Sequence, residues 1–395
     1  MLLDRMIAEL GNRRGFAALP SPSAQSRILP DKLLPELFAQ ENRCPMARSL
    51  FVTLLLLAVA SAAPTARIAR RDFLVPERGD LNIFVREVTD AESPKNAPAI
   101  LLVHGARVPG LASFDLDVPG GSLAADLASH GLAVYVMDVR GYGSSTRPTS
   151  MSEPAEGKDA LVRSNEAAHD IDAIVDWICV RRAVSKVALF GWATGAQWAG
   201  YYASIFPDKV SALILLNSLY GGSSVHPLMG HHSDMEDPKH QGQFNRETCG
   251  SYRLNTEKSL FGVWDRSIPI ENKDAWLDPA VAKAYATAAI ASDPSSTTRN
   301  PPSFRSPCGA LEDSFYLVIG RQLWDASLIT APTLVLASER DFWSRAEDSE
   351  LLQKHLVHAS RVKVVVLKDA THFVHLDRPE HGRRQLIDEV TAWVK

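Results

Sequence analysis

The sequence predicts an α/β protein built on a mostly parallel sheet, with a helical and irregular segment inserted between two of the core strands. Two observations carry this. Short, continuously apolar runs alternate with helix-like runs from residue 71 onward, the pattern of parallel strands buried on both faces. The alternation then stops at residue 218 and resumes near 331, so the segment between interrupts a sheet rather than following one.

Before the sheet lie two other segments. Residues 1–45 have little apolar patterning and read as an extension, either disordered or upstream of a true start at Met46. Residues 46–63, "MARSLFVTLLLLAVASAA", have a basic start, an apolar run and a small-residue ending, the layout of a secretory signal peptide. The run is short for a bilayer span, so the expectation is export with no stable membrane span after removal. With 46% hydrophobic and 22% charged residues in 395, and a formal net charge of -4 spread along the chain, the rest is ordinary globular material. Nothing in that balance points to nucleic acid, and a small-molecule partner is expected. Oligomeric state is not legible.

The elements follow in order. "FLVP" (73–76) and "LNIFVREV" (81–88) read as an opening antiparallel pair. "AILLVHG" (99–105) and "LAVYVMD" (132–138) read as buried strands, with a helix "SLAADLASHG" between them that a glycine stops. A long amphipathic helix is expected from about Arg163 to Arg182, then strand "KVALF" (186–190), helix "AQWAGYYASIFP" (196–207) and strand "ALILLNS" (212–218). Residues 219–330 are polar, with helical pieces such as "DPAVAKAYATAAIAS", and are placed as a lid or cap over the strand ends. "APTLVLASERD" (331–341), helix "AEDSELLQKHLV", strand "RVKVVVL" and helix "RRQLIDEVTAWVK" close the chain. The expected division is thus core at 64–218 and 331–395, insertion at 219–330.

Of four cysteines, Cys44 precedes the fold and Cys179, in "VDWICV", reads as core. Cys249 and Cys308 share the insertion; they either pair, given an oxidising compartment, or remain free.

Four local motifs in this order resemble the α/β-hydrolase family, over roughly residues 71–395. "LVHG" followed by Ala106 is similar to the HG turn of the oxyanion hole. "MDVRGYGSS" (137–145) is similar to the D-x-R-G-x-G-x-S turn, "GWATG" (191–195) to the nucleophile elbow G-x-S-x-G, and "SERD" with "DATHFVHLDRP" to the acid and histidine loops. The resemblance implies that Asp341 orients His372 as a general base or acid, with His375 the competing histidine and His104 a support of its turn. It also implies an oxyanion hole from the amide of Thr194 and that of Ala106 or Arg107.

The departure is at the nucleophile. Ala193 stands where the family places its reactive side chain, and a methyl group attacks nothing. Four readings meet that fact: an engineered serine-to-alanine variant, a non-catalytic ligand-binding relative, an enzyme in which His372 activates water or moves protons for carbon–carbon cleavage, and attack by Thr194. The elbow turns residue 194 away, which disfavours the last. Asp and His in place with an anion cradle favour an enzyme without a covalent serine step, acting on a small, hydrophobic ester, lactone or β-dicarbonyl. A structural or interaction protein has no supporting repeat or charge block.

Aromatic residues Trp192, Tyr220, Phe261, Trp264, Trp276, Phe342 and Trp343 either line an apolar pocket or pack the insertion on the core, with Trp192, Trp343 and Trp264 the pocket candidates. The loop "HPLMGHHSDMEDPKH" (226–240) offers His231, His232, Asp234 and His240, but without the H-E-x-x-H spacing of a zinc helix it reads as a solvated loop. No metal and no cofactor motif is assigned.

Overall fold

The computed structural model describes residues 67–395; the extension at 1–45, the signal-like segment at 46–63 and Cys44 lie outside the described residues. The chain opens with strands β1 (Ile68–Arg78) and β2 (Leu81–Asp90), an antiparallel pair that slips register between Pro76 and Arg78. Strand β3 (Ala99–Val103) is followed by the short helix α1 (Gly110–Phe114) and by α2 (Leu123–Ser129). The Ser122 hydroxyl caps α2 by accepting from the Ala125 amide at 2.8 Å. Strand β4 (Ala133–Asp138), helix α3 (Ser164–Arg182), strand β5 (Val187–Trp192), helix α4 (Thr194–Ile205) and strand β6 (Val210–Leu216) complete the first part of the core.

Residues 217–332 form the insertion. It carries α5 (Arg246–Cys249), β7 (Tyr252–Thr256), α6 (Glu257–Ser267), α7 (Pro279–Ala291), β8 (Ser303–Pro307) and α8 (Gly309–Val318). The core then resumes with β9 (Thr333–Arg340), α9 (Ala346–His355), β10 (Val362–Thr371) and α10 (Arg384–Val394).

The main sheet has eight strands in the order β1-β2-β4-β3-β5-β6-β9-β10. Its pairings are parallel from β4 to β10, and the β1–β2 and β2–β4 pairings are antiparallel. Alternation along each strand explains the continuous apolar runs. Leu101 and Val103 face α3 and α4, packing with Ile171, Ile174, Trp198 and Tyr202, while Ile100 and Leu102 face the α2 and α10 side, with Leu127, Leu386 and Val390. Both faces exclude water, so neither tolerates a polar residue. Among the described residues no helix is long and apolar enough to cross a membrane.

The paired strands β7 and β8 were not expected from the sequence. They are antiparallel, with Tyr252 opposite Pro307 and Thr256 opposite Ser303. Each is short and of mixed polarity, and α6 and α7 lie between them, so no local turn announces the pairing. Cys249, just before β7, and Cys308, just after β8, are joined in a disulfide of sequence separation 59. Closing a loop of that size in the unfolded chain is worth about 4 kcal/mol in the chain-entropy account. Replacing both cysteines by serine is therefore expected to cost up to about that much, read as a lower urea midpoint that added reductant reproduces in the unaltered protein.

Candidate active site

The elbow between β5 and α4 places Ala193 at φ 53°, ψ -116°, a conformation that costs a non-glycine residue roughly 1–3 kcal/mol. The Ala193 amide donates to the Leu216 carbonyl at 2.8 Å, and the Ala193 carbonyl accepts from the Ala196 amide at 3.0 Å. The flanking glycines permit the turn. A Cβ on Gly195 would stand 2.2 Å from the Val103 carbonyl oxygen, and one on Gly191 would stand 2.3 Å from that of Gly195. The G-x-x-x-G frame is thus required by backbone contact, whatever residue 193 carries.

Thr194 is the first residue of α4, where an amide has no carbonyl one turn back to accept it. Among the described residues neither the Thr194 nor the Ala106 amide finds an acceptor in the protein, and both residues line the cavity described below. The turn that carries Ala106 is held from behind. The buried His104 ring donates from Nδ1 to the Gly105 carbonyl at 2.8 Å and accepts at Nε2 from the Val139 amide at 3.1 Å. Its two bonds define a neutral tautomer, and burial lowers its pKa, so His104 is a brace between β3 and β4. Asp138 serves the same joint by accepting from the Gly110 amide at 2.7 Å and the Ser144 amide at 2.9 Å.

The loops after β9 and β10 bring Asp341 and His372 together. The His372 Nδ1 to Asp341 Oδ1 distance is 2.6 Å, and both side chains are buried. Asp341 also accepts from the amides of Trp343 at 3.0 Å and Ser344 at 2.8 Å. Burial alone would raise the Asp341 pKa, but the nearby His372 charge and these hydrogen bonds outweigh it and hold the carboxyl below its ordinary value. The imidazole backbone is pinned separately: the Trp192 indole donates to the His372 carbonyl at 2.9 Å and the Asn217 amide donates to it at 3.3 Å. Among the described residues His375 makes no side-chain hydrogen bond to Asp341 or to any other acid. Its ring is fully buried, both nitrogens lack partners, and it packs edge-on to Trp192 at 4.3 Å. Burial, with the charges of His372 and Arg383 adding to it, drives its pKa well below the ordinary range.

Ala193 and His372 open onto one cavity of about 150 Å³, whose walls come from both core and insertion. Trp192, Phe342, Trp343 and Phe373 give it an apolar side. Trp264 was expected there and is not. It is fully buried behind Phe373, stacked on that ring at 4.5 Å, and its indole donates to Asp377 at 3.0 Å. Tyr220 packs on Trp324, Phe261 on Trp264, and Trp276 on His381. These rings seat the insertion on the core rather than line the cavity.

Three of the four histidines of the 226–240 loop are engaged singly, and His232 contributes only its amide, to Glu236 at 2.8 Å. His231 pairs with Glu236 at 2.8 Å, His240 with Asp237 at 3.2 Å, and His226 contacts the Trp343 carbonyl at 2.9 Å. Among the described residues no three metal-ligating side chains converge.

Two lining residues had no signal in the sequence. Arg107 was considered only for its amide, and Arg253 belongs to the unforeseen strand β7. Burial lowers the pKa of Arg107; it lowers that of Arg253 to about 10, with the charge of Arg107 adding to the effect. Tyr285, between them and the apolar wall, has its hydroxyl pKa raised by burial. Asn217, just past β6, and Ser344, in the loop after β9, were also missed, being single polar residues with no motif around them.

Fold and site together define a protein of the α/β-hydrolase fold, with Ala193 at the turn between β5 and α4. The sequence model of the alpha/beta hydrolase fold matches residues 98–259. The chain is 30% identical over 137 residues to the poly(3-hydroxyalkanoate) polymerase subunit PhaC of Synechocystis sp., covering 35% of this chain and 32% of that protein; it thus spans about a third of that relative's length. It is 22% identical over 287 residues to the proline iminopeptidase PfmaB of Pestalotiopsis fici, covering 72% and 89% of the two chains. Among solved structures, the thioesterase domain from a curacin biosynthetic pathway superposes with a TM-score of 0.50 at 16% identity, covering 82% of this chain and 99% of that one.

Proposed function

We propose that this protein is an exported α/β-hydrolase-fold enzyme that acts on a small ester, lactone or β-dicarbonyl without a covalent serine step. The reading is carried by one observation: an oriented Asp341–His372 pair, 2.6 Å apart and buried, opens onto the cavity that also holds Ala193. Asp341 accepts the Nδ1 proton of His372 and leaves Nε2 as the base. Water in the space above Ala193 gives its proton to Nε2 and attacks the substrate carbonyl carbon. The carbonyl oxygen becomes an oxyanion facing the Ala106 and Thr194 amides. Collapse breaks the bond to the leaving group, which takes the proton back from His372. The products are an acid and an alcohol, or an acid and a ketone from a β-diketone. The insertion serves as the cap over this chemistry, and its disulfide accords with an oxidising compartment.

The test is turnover by the full chain against a panel of esters, lactones and β-diketones, with intact-protein mass spectrometry during steady state. The expected result is multiple turnovers with no covalent adduct. Absence of turnover across the panel favours the alternative, a ligand-binding relative on the same scaffold.

A further inference from the structure

We infer that Arg107 and Arg253 form an anion subsite, so that the molecule held in this cavity carries a carboxylate at the end remote from its apolar part. The inference deepens the reading above, and rests on it for the substrate's other half.

The cavity wall contains both arginines and no acidic side chain. Elsewhere most of the partly buried arginines are matched by carboxylates, Arg147 and Arg182 being exceptions that donate to backbone carbonyls. Arg140 meets Asp170, Arg305 meets Asp293 at 2.8 Å, Arg345 meets Asp348 at 2.7 Å, and Arg86 bridges Asp72 and Asp115. Arg147, which has no such pair, donates to the Ser292 carbonyl at 2.7 Å and lies in the field of Asp293. Arg107 has one acceptor, the Ser259 carbonyl at 3.0 Å. The Arg253 side chain has none among the described residues, and its Nε is buried without a partner. Both residues are partly buried, a guanidinium losing water without a counter-charge is costly, and here two such groups share one cavity. A carboxylate offers the planar, bidentate acceptor that such groups fit.

The site is also built rather than incidental. Ser306 on β8 donates to the Arg107 carbonyl at 2.7 Å, and Asn255 on β7 donates to the Ser306 hydroxyl at 3.0 Å. The pair of strands that presents Arg253 therefore also holds the backbone of Arg107, whose φ of 132° lies outside the usual range for a side-chain-bearing residue. The disulfide at the base of those strands fixes both cations to one frame. Because Arg107 follows the oxyanion donor Ala106 directly in sequence, the carboxylate and the reacting carbonyl belong to one short molecule.

The test is calorimetric titration of the full chain with 3-phenylpropionate and with its neutral amide, repeated for hexanoate and hexanamide. Each carboxylate is expected to bind at least about tenfold more tightly than its amide, with the preference shrinking as salt is added. Arg253→Gln and Arg107→Gln are each expected to reduce that preference by about tenfold, with Arg253→Lys restoring part of it. Circular dichroism and melting confirm that each variant is folded. Equal binding of acid and amide, no binding of either at millimolar concentration, or an undiminished preference in both glutamine variants overturns the inference. His372→Ala separates the two proposals: it is expected to keep the carboxylate preference, so loss of turnover without loss of preference leaves the anion subsite standing even where the catalytic reading fails.

Discussion

Replacing His372 by alanine is expected to reduce turnover of the best panel substrate by about 10²–10⁴-fold, the span general-base catalysis ordinarily supplies. The loss should fall on kcat, because in the proposed mechanism the imidazole touches the attacking water in the transition state and contributes little to binding the ground state. Asp341→Asn is expected to approach the same loss. An asparagine presents either an amide N–H to Nδ1 or a neutral oxygen, and neither stabilises the imidazolium that forms when Nε2 takes its proton. Asp341 has a further signature in stability. Its carboxyl is held below the ordinary range, so its contribution is present above the unfolded-state pKa and is lost as pH falls through the depressed folded value. The native protein should therefore lose stability on acidification more steeply than Asp341→Asn does. Turnover within a few-fold of native in the His372 variant, with the fold intact by circular dichroism, would remove the base from the mechanism.

How far the sequence foresaw this site depends on what kind of information placed each residue. The core strands were legible because burial on both faces leaves an unbroken apolar run, and His372 was legible because its loop resembles the histidine loop of the α/β-hydrolase family. Of the two histidines the sequence offered, His372 is the one that meets Asp341, while three residues on the His375 ring turns into the apolar space beside Trp192 and Phe114. The insertion was legible only as an interruption. Its aromatic residues look alike in sequence, so Trp264 was placed in the cavity although it stacks behind Phe373. Arg253 was invisible because its position depends on β7 finding β8 across two intervening helices, a contact that no local pattern encodes. Asn217 shows the same limit at smaller scale. Its side chain ties Ser338 on β9 at 3.0 Å and reaches the His372 carbonyl, three chain segments that meet only in the folded sheet. Local periodicity specifies elements, and the family resemblance supplies the order of Asp341 and His372; the electrostatics of the cavity arise from long-range pairings.

Ala193→Ser is the converse experiment, and a large gain is expected from it: ester hydrolysis rising by at least about 10²-fold, with a burst and an acyl-enzyme mass that the native protein lacks. The elbow already holds residue 193 at φ 53°, so a hydroxyl added to that Cβ meets no new backbone cost and projects into the cavity lined by His372. The acid, the base and the two free amides are then joined by the missing fourth part. Serine occupies the space proposed for water, so reactions that rely on direct water attack should slow in the same variant. The two effects run in opposite directions and separate the readings of Ala193. Slower native chemistry together with new acylation means that the alanine makes room for a reactant. Acylation gained where the native protein had no activity means that the scaffold kept its geometry without its chemistry, and the base-driven mechanism fails. No acylation in a folded serine variant means that residue 193 and His372 do not share a reaction path, however close the loops that carry them.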